Sequence, residues 1–435
     1  MSDEHSSVEN GQTKEEEQSS QVGQNEPASS PQPQAPPQHP DGGLKAWLCV
    51  LGCGACYFCS YGWINALSVF QEYYKNVALS SYSSLDVGWI ATLQNFFLQF
   101  CGPFVGLLFD RFGPTYLLMT GAFLHVFGLM MASINTEYYQ FVLAQGVCSS
   151  IGTSFIFNPA TVSVPMWFGP KKRGLAIALS STGAPIGGVI YPIVVNRVID
   201  GVDFGWAMRT CAFIILAMMA MAVATTRLPA KPVKRPVNRT IARRMASGPF
   251  VFLVAAFFFF TMGVLLPITY MTQNAVAKGL DTGLSRYLVS MYNAGAFVGR
   301  VMPGVVGHRT GFFDITTAAC ALTGVFTLAL WIPAAGTPPL VAFAIIFGWA
   351  ANAVIAAMPM LISLVSEPQE LGVRAGTVFA FGGLGALAGL PIGSVLVRGD
   401  DYDDMKIFAG VMILAGTCCY AASRFCLSGL KLRAP

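Results

Sequence analysis

The sequence is poor in charged residues. Asp, Glu, Lys and Arg together make up 11% of its 435 residues, whereas soluble domains carry about 25%. Hydrophobic residues make up 54%, so a chain of this length has too little polar surface to cover itself in water. The shortage of charge therefore excludes an ordinary soluble domain and predicts a membrane protein.

The sequence also lacks the patterns of metal sites, disulfide frameworks and nucleic-acid binding. Cys49, Cys53, Cys56 and Cys59 fall on about three turns of one apolar helix, where they predict a packing stripe rather than a zinc site. The other cysteines are scattered, and no basic strip is interleaved with aromatic residues. We therefore expect no metal, no cofactor and no nucleic-acid partner. We also expect no enzyme activity, since no cluster of His, Asp and Cys gathers at one interface.

Residues 1–40 have no apolar run and are rich in Gln, Ser, Pro and Glu. A segment of this composition buries too little apolar surface to offset the loss of chain entropy, so we expect a disordered, cytoplasmic N-terminal tail. It has neither the basic start nor the apolar core of a signal peptide. Membrane insertion is therefore expected to begin at the first apolar run, near Leu44.

Apolar runs of about 20 residues, the length that crosses a bilayer as a helix, recur from Leu44 onward. We interpret them as twelve membrane-spanning helices, so the predicted fold is all-α. Pro and Gly inside the runs are compatible with helices, because neighbouring helices satisfy the freed backbone groups. The expected spans are 44–70, 87–109, 115–134, 138–166, 174–199, 205–227, 249–272, 286–307, 312–334, 338–365, 374–396 and 405–427.

Basic residues are concentrated in alternate joins between these spans. Cations gather on the cytoplasmic side of a membrane, so the bias predicts a multi-pass protein with both termini in the cytoplasm. The expected location is the plasma membrane. The longest join, 228–248, is a predicted cytoplasmic linker between two six-helix halves at 41–227 and 249–427, and residues 428–435 form a short tail. The basic joins carry Arg111, Lys171, Lys172, Arg173, Arg227, Lys231, Lys234, Arg235, Arg239, Arg243, Arg244, Arg309 and Arg374.

Two short motifs occur once in each predicted half. Residues 106–113, at the end of the second span, are similar to residues 304–311 at the end of the eighth. Residues 183–187 in the fifth span read Gly-Ala-Pro-Ile-Gly, and residues 389–393 in the eleventh read Gly-Leu-Pro-Ile-Gly. This repetition is typical of transporters built from parallel repeats related by an axis along the membrane normal.

With these motifs the chain resembles the major facilitator superfamily, because residues 106–113 are similar to its signature between the second and third helices. It further resembles the monocarboxylate transporter branch through two blocks. One is Asp41-Gly42-Gly43 followed by Trp47, and the other runs from Asn158 to Gly187 through the basic cluster 171–173. The Gln-rich tail and the short central loop are similar to fungal members. The resemblance implies a twelve-helix transporter that works by alternating access.

The resemblance also implies gating residues at the predicted cytoplasmic ends of the second and eighth helices. In the family, an acid at the position of Asp110 contacts a neighbouring helix and latches the outward-facing state. Arg111 follows it, and Arg309 is the matching residue of the second copy, where His308 replaces the acid. The alternative interpretation of Asp110 is a residue of a simple surface turn.

Arg300 is a charged residue inside the predicted eighth span. Its guanidinium stays ionised, and the Asp and Glu residues fall at the ends of predicted spans or in the joins, as Asp314 does, rather than in a span interior where they could pair with it. A substrate carboxylate would satisfy it through a bidentate pair, and the resembling family binds carboxylates with an Arg at this place. The alternative is an Arg that snorkels to water. Asn65 and Asn293 are further binding candidates, although each would equally well bond a neighbouring helix, and Tyr61 is a candidate aromatic wall.

Two positions differ from the proton-coupled members of that family. Ala296 stands where they carry an Asp, and Asn65 where they carry a Lys. Proton coupling therefore stays an open alternative, and His125 fits a hydrogen-bonded structural role better than a proton relay. The expected substrate is an organic anion or polar metabolite, larger than lactate. Export of a specialised metabolite, import of a monocarboxylate or vitamin, and a transporter-like nutrient sensor remain the alternatives.

Overall fold

The computed structural model describes residues 42–229, 245–280, 285, 287–334, 336–367, 370–399 and 401–428. The predicted N-terminal tail at 1–40 lies outside the described residues. The same is true of residues 230–244, most of the predicted linker, and of residues 429–435 in the predicted C-terminal tail.

Eleven helices of the described residues are long and apolar enough to cross a membrane, and no strand longer than an isolated bridge occurs among these residues. The all-α prediction is therefore confirmed. The helices are numbered in chain order, and α8 is the less apolar helix between α7 and α9. They are α1 Leu44–Gly62, α2 Asp86–Phe112, α3 Pro114–Ala132, α4 Tyr138–Met166, α5 Lys171–Gly201, α6 Phe204–Thr225, α7 Gly248–Ala277, α9 Phe312–Trp331, α10 Thr337–Val365, α11 Leu371–Leu396 and α12 Asp403–Leu427.

Helix α8, Leu288–Thr310, has 23 residues and carries the polar residues Asn293 and Arg300 on its buried side. At 1.5 Å per residue it is about 34 Å long, enough to cross a hydrocarbon core of about 30 Å. Its polar residues lower its hydropathy, so it is not among the eleven apolar helices. The twelve predicted spans thus correspond to eleven apolar helices and one that depends on its neighbours for burial.

The first span is shorter than the sequence predicts. The expected helix runs from 44 to 70, but α1 ends at Gly62, and Asn65 and Ala66 form a turn before a short helix, Leu67–Tyr73. Asn has a lower helix propensity than Ala or Leu, which favours a break at this position. Asn65 therefore lies beyond the end of α1 rather than inside a continuous span.

Both copies of the first repeated motif end in a glycine with a positive φ angle. Gly113, between α2 and α3, has φ 75°, and Gly311, between α8 and α9, has φ 91°. A positive φ is accessible to Gly without steric cost, whereas residues with a Cβ rarely adopt it. The two glycines therefore allow consecutive helices to reverse direction within one or two residues.

The repeated Gly-x-Pro-x-Gly motifs pack helices closely. A Cβ on Gly183 of α5 would overlap the carbonyl oxygen of Gly54 in α1, and a Cβ on Gly389 of α11 would overlap that of Met262 in α7. Small residues at such contacts let helix backbones approach in a membrane. The motifs thus fix α5 against α1 within the first six helices, and α11 against α7 within the last six.

Candidate functional site

Arg300 lies in the middle of α8 with only 2% of its surface exposed. Its Nε donates to Oδ1 of Asn352 in α10 at 3.1 Å, and its Nη1 donates to the backbone carbonyl of Ser181 in α5 at 3.1 Å. Asn352 in turn donates from Nδ2 to the hydroxyl oxygen of Tyr292 at 2.9 Å. The guanidinium is thus held on both sides by neutral acceptors, one from each set of six helices.

No carboxylate of the described residues forms an ion pair with Arg300. The two bonds occupy one N–H on Nε and one on Nη1, while a guanidinium offers five N–H donors. Within the described part of the chain, these two bonds are the hydrogen bonds that link the Arg300 guanidinium to other residues. A buried cation in this condition is a strong site for an anionic group, because the anion supplies both the charge and the missing acceptors.

A small cavity lies beside Arg300. It has a volume of about 10 Å³, and its lining includes Tyr61 of α1, Phe157 of α4, Ser181 of α5 and Phe379 of α11. A cavity of about this size holds one water molecule, so the helices are closed around Arg300 in this conformation. Tyr61 and Arg300, both predicted as binding residues, line the same cavity.

Aromatic rings form part of the cavity wall. The centroid of the Phe157 ring lies 4.9 Å from that of Tyr61, 4.9 Å from that of Phe379 and 5.7 Å from that of Tyr57. Phe379 continues the cluster to Phe257 of α7, with centroids 5.5 Å apart. A site with one cation and several rings suits an anion that carries an apolar or aromatic body. Sequence reasoning did not identify Phe157, Phe257 and Phe379, because the sequence contains 32 Phe and nothing marks these three.

Asn65 and Asn293, predicted as binding residues, form a pair with each other. Asn65 donates from Nδ2 to Oδ1 of Asn293 at 3.2 Å, and Asn293 donates to the carbonyl of Gly188 in α5 at 3.5 Å. Asn293 precedes Arg300 by two helical turns, which places the pair about 10 Å from the charge along α8. The two amides therefore join the first and last six helices beyond the cavity, and neither is among the residues that line it.

Asp110 connects α2 to the beginning of α11. Its carboxylate accepts a hydrogen bond from the backbone N–H of Val373, the third residue of α11. A carboxylate at a helix N-terminus is stabilised by the helix dipole and by the unpaired N–H groups there. Gly372 makes room for it, since a Cβ at that position would lie 2.6 Å from Oδ1 of Asp110.

The other two predicted gating residues have different surroundings. Arg111 is exposed and stacks on Phe112 of its own helix, with its guanidinium carbon 5.2 Å from the ring centroid. Arg309 is exposed at the end of α8. Of the three, Asp110 is the residue that the structure connects to a helix of the other set of six.

Four glycines next to Asp110 bring α2 and α11 into backbone contact. A Cβ on Gly102 would lie 2.7 Å from the carbonyl oxygen of Gly376, and a Cβ on Gly106 would overlap that of Gly372. We call these four residues the α2–α11 glycine contact. Sequence reasoning missed it, although Gly102 and Gly106 share the four-residue spacing of Gly372 and Gly376, which is typical of closely packed helices.

His125 and the cysteines have structural surroundings. His125 is fully buried, with Nδ1 2.8 Å from the Ser149 hydroxyl and Nε2 3.2 Å from the carbonyl of Cys59. The Sγ atoms of Cys49 and Cys53 lie 3.9 Å apart, within the packed core of α1. Among the described residues, no group of His, Cys, Asp and Glu is arranged to hold a metal ion.

Comparison with known proteins places this geometry in context. A family model described as Major Facilitator Superfamily matches residues 50–338. The chain is 43% identical over 410 residues to "MFS transporter asaE" of Aspergillus flavus, covering 93% of this chain and 92% of that protein. It is 40% identical over 398 residues to "Fujikurins efflux protein" of Gibberella fujikuroi, covering 90% and 85%. It is 33% identical over 403 residues to "Aspyridones efflux protein apdF" of Emericella nidulans, covering 91% and 82%.

Solved structures share the fold at low sequence identity. The outward conformation of FucP, a major facilitator superfamily transporter, aligns with a TM-score of 0.67 and 14% identity, covering 87% of this chain and 98% of that one. The human organic anion transporter MFSD10 aligns with a TM-score of 0.69 and 12% identity, covering 87% and 100%. These likenesses, with the apolar helices, establish a multi-pass membrane protein with a transporter fold.

Proposed function

The chain belongs to the major facilitator superfamily, and on this premise we propose that it exports an anionic product of specialised metabolism by alternating access. It is a membrane transporter of a small molecule, as its superfamily relatives are. The proposal of export is supported by relatives named as efflux proteins for fujikurins, aspyridones and agnestins. These names favour export over the import of a monocarboxylate or vitamin. They also favour a transporter over an enzyme or a nutrient sensor.

The single observation that carries the anionic substrate is the buried guanidinium of Arg300. A buried cation without a counter-charge is costly, and each hydrogen bond that it gains to an anionic acceptor contributes about 1.5–3 kcal/mol. The cavity beside it is lined by Tyr61 and Phe157, which would pack against the body of the substrate. We therefore assign Arg300 as the anchor for the charged group and the aromatic cluster as the surface for the remainder.

Two contacts on opposite sides of Arg300 are the proposed gates. On the side that charge placement predicts to be cytoplasmic, Asp110 bonds the start of α11 beside the α2–α11 glycine contact. On the other side, Asn65 bonds Asn293. Opening one contact while the other stays closed would expose the Arg300 cavity to one side at a time, as rocking of repeated halves requires. Arg111 and Arg309 would serve as exposed anchors of the cytoplasmic face.

The sequence supports three finer assignments within this proposal. The stretch 158–187 supports membership of the monocarboxylate porter branch, and the basic joins support an orientation with both termini in the cytoplasm. The proposed export out of the cell requires a location in the plasma membrane. Ala296 and Asn65 replace the titratable residues of proton-coupled relatives, so facilitated export is favoured over proton antiport. Dependence of flux on an imposed pH gradient would reverse this last assignment.

The test is transport by purified protein in vesicles loaded with a panel of aromatic and aliphatic carboxylates. We expect Arg300→Gln to reduce transport of the preferred acid by about 10- to 150-fold, which corresponds to the loss of about 1.5–3 kcal/mol of charge-assisted hydrogen bonding. Arg197→Gln, which removes an exposed charge from α5, is the matched control and should transport normally. Unchanged transport by a folded Arg300→Gln protein would refute the anchor role.

A further inference from the structure

Two prolines of α5 each deprive one carbonyl of its usual helical partner. In an α-helix the N–H of residue i bonds the carbonyl of residue i−4, and Pro has no N–H. Pro185 therefore leaves the carbonyl of Ser181 without this donor, and Pro192 does the same for Gly188. Both carbonyls lie in buried parts of α5, where an unpaired acceptor is costly.

These are the same two carbonyls that accept hydrogen bonds from α8. Arg300 donates to Ser181 at 3.1 Å, and Asn293 donates to Gly188 at 3.5 Å. The two donors are seven residues apart in α8, and the two acceptors are seven residues apart in α5, so the spacing matches between antiparallel neighbours. We call the two bonds the Arg300 rung and the Asn293 rung.

The prolines account for this match better than packing alone. A proline ring clashes with the carbonyl four residues before it and tilts that carbonyl away from the helix axis, toward whatever donor lies beside the helix. The helix does break next to Ser181, since its first part, Pro170–Ser181, ends there and the second begins at Gly183. The sequence thus turns two backbone atoms of α5 into fixed acceptors for α8.

We propose that Pro185 is a positioning residue. By keeping the Ser181 carbonyl free of a helical partner, it lets this carbonyl take the place of the substrate's anionic group when the carrier is empty. The carbonyl engages the guanidinium of Arg300 and lets the empty carrier close and return across the membrane. An arriving carboxylate displaces the carbonyl and takes its place on the guanidinium. The inference rests on the proposed function, because it specifies what the substrate competes with at the Arg300 site.

The Asn293 rung is expected to behave differently. Asn293 also donates to the carbonyl of Val289 in its own helix at 2.9 Å and accepts from Asn65 at 3.2 Å. Its bond to Gly188 is the longest of these, and it lies about 10 Å along α8 from the cation. Pro192 therefore contributes to closure of that side with or without substrate, and only the Arg300 rung competes with an anion.

The first test needs no substrate. A cysteine at Ala356, which lines the cavity, is labelled with a membrane-impermeant maleimide in a background where the exposed Cys418 and Cys426 are replaced by Ala. Pro185→Ala restores the N–H and should speed labelling of the empty carrier about tenfold, the equivalent of one charge-assisted hydrogen bond. The variant replaces a helix breaker with a strong helix former, so it should fold.

Three variants decide whether the effect passes through Arg300. Pro185→Ala combined with Arg300→Gln should label at the rate of Arg300→Gln alone, because the rung is already absent. Pro391→Ala, in the matching motif of α11, is the control and should label like wild type. Additive effects of Pro185→Ala and Arg300→Gln, or unchanged labelling in Pro185→Ala, would overturn the inference.

The second test uses benzoate, a carboxylate with an aromatic body that suits the cavity lining. Pro185→Ala should bind benzoate about tenfold more tightly than wild type, because the carbonyl no longer competes for Arg300. If labelling changes as expected but benzoate and the other acids bind no variant, the role of the Arg300–Ser181 bond in closing the empty carrier is supported and the anionic substrate is refuted. If acids are transported but Pro185→Ala has wild-type labelling and affinity, the anion proposal stands and the inference fails.

Discussion

Substitution of Gly102 by Ala should open the predicted cytoplasmic side of the transporter. The added Cβ would lie 2.7 Å from the carbonyl oxygen of Gly376 and 2.8 Å from its Cα, against an ordinary contact of about 3.5 Å. Both obstructing atoms belong to the backbone of α11, so a side-chain rotation cannot remove the overlap. The two helices must separate by a little under 1 Å wherever the α2–α11 glycine contact is closed.

The size of the effect follows from this overlap. Overpacking of a tight contact costs about 1–3 kcal/mol, and here the cost applies only to conformations in which the cytoplasmic side is closed. The better helix propensity of Ala, about 1 kcal/mol, is the same in all conformations because residue 102 stays helical. The closed-to-open equilibrium should therefore shift by about 5- to 150-fold toward opening on that side.

The assay is side-specific labelling of the cavity cysteine at position 356, with the impermeant maleimide supplied from one face of oriented vesicles. Gly102→Ala should raise labelling from the cytoplasmic face and lower it from the opposite face. Gly188→Ala is the paired variant, because its Cβ would lie 2.6 Å from Oδ1 of Asn293 and 2.9 Å from Cβ of Asn65. It should produce the reverse pattern, with a smaller shift because a side chain can yield. Shifts of both variants in the same direction would refute the assignment of the two gates.

Three further predictions follow from buried polar contacts. Asp110→Asn keeps the size of the side chain but removes the charge at the start of α11, which weakens that contact by about 1 kcal/mol. Labelling of the cavity cysteine from the cytoplasmic face should therefore rise about fivefold. An unchanged rate would rule out the latch. Arg374→Gln removes the cation 3.8 Å from the buried carboxylate of Glu370, so the free energy of unfolding in detergent should fall by about 3–5 kcal/mol, and Glu370→Gln added to it should recover part of the loss. Gln99→Leu removes a buried Oε1 that has no hydrogen-bond partner among the described residues. The free energy of unfolding, measured by thermal unfolding, should therefore rise by about 1 kcal/mol. A lower free energy of unfolding would show that Oε1 accepts a hydrogen bond.

Much of the fold could be predicted because the membrane imposes strong rules on sequence. Apolar runs of the right length identified eleven helices, and the all-α architecture follows from them. The interior position of Arg300 could be anticipated, since it interrupts an otherwise apolar run. The end of α1 could not, because Asn65 is compatible with both a helix and a turn until its partner Asn293 is known.

The parts of the site that escaped prediction are contacts between distant segments and contacts of backbone atoms. The acceptor of Arg300 in α5 is a carbonyl, and every residue has one, so only Pro185 hints at which carbonyl is exposed. Phe157 and Phe379 meet across two helices that are far apart in sequence, and aromatic residues are common throughout the chain. Periodicity describes one helix at a time and cannot identify such pairs.

The polarity of α8 has a consequence for how the protein is made. On the scale of translocon insertion, an Arg at the centre of a helix costs about 2.5–3.5 kcal/mol, so α8 is a poor candidate to enter the bilayer alone. Of its two partners for Arg300, Ser181 is synthesised earlier and Asn352 later. We therefore expect α8 to be retained beside α5 and the strongly apolar α7 until α10 emerges from the ribosome. A truncated nascent chain that ends before α10 should leave α8 accessible to water.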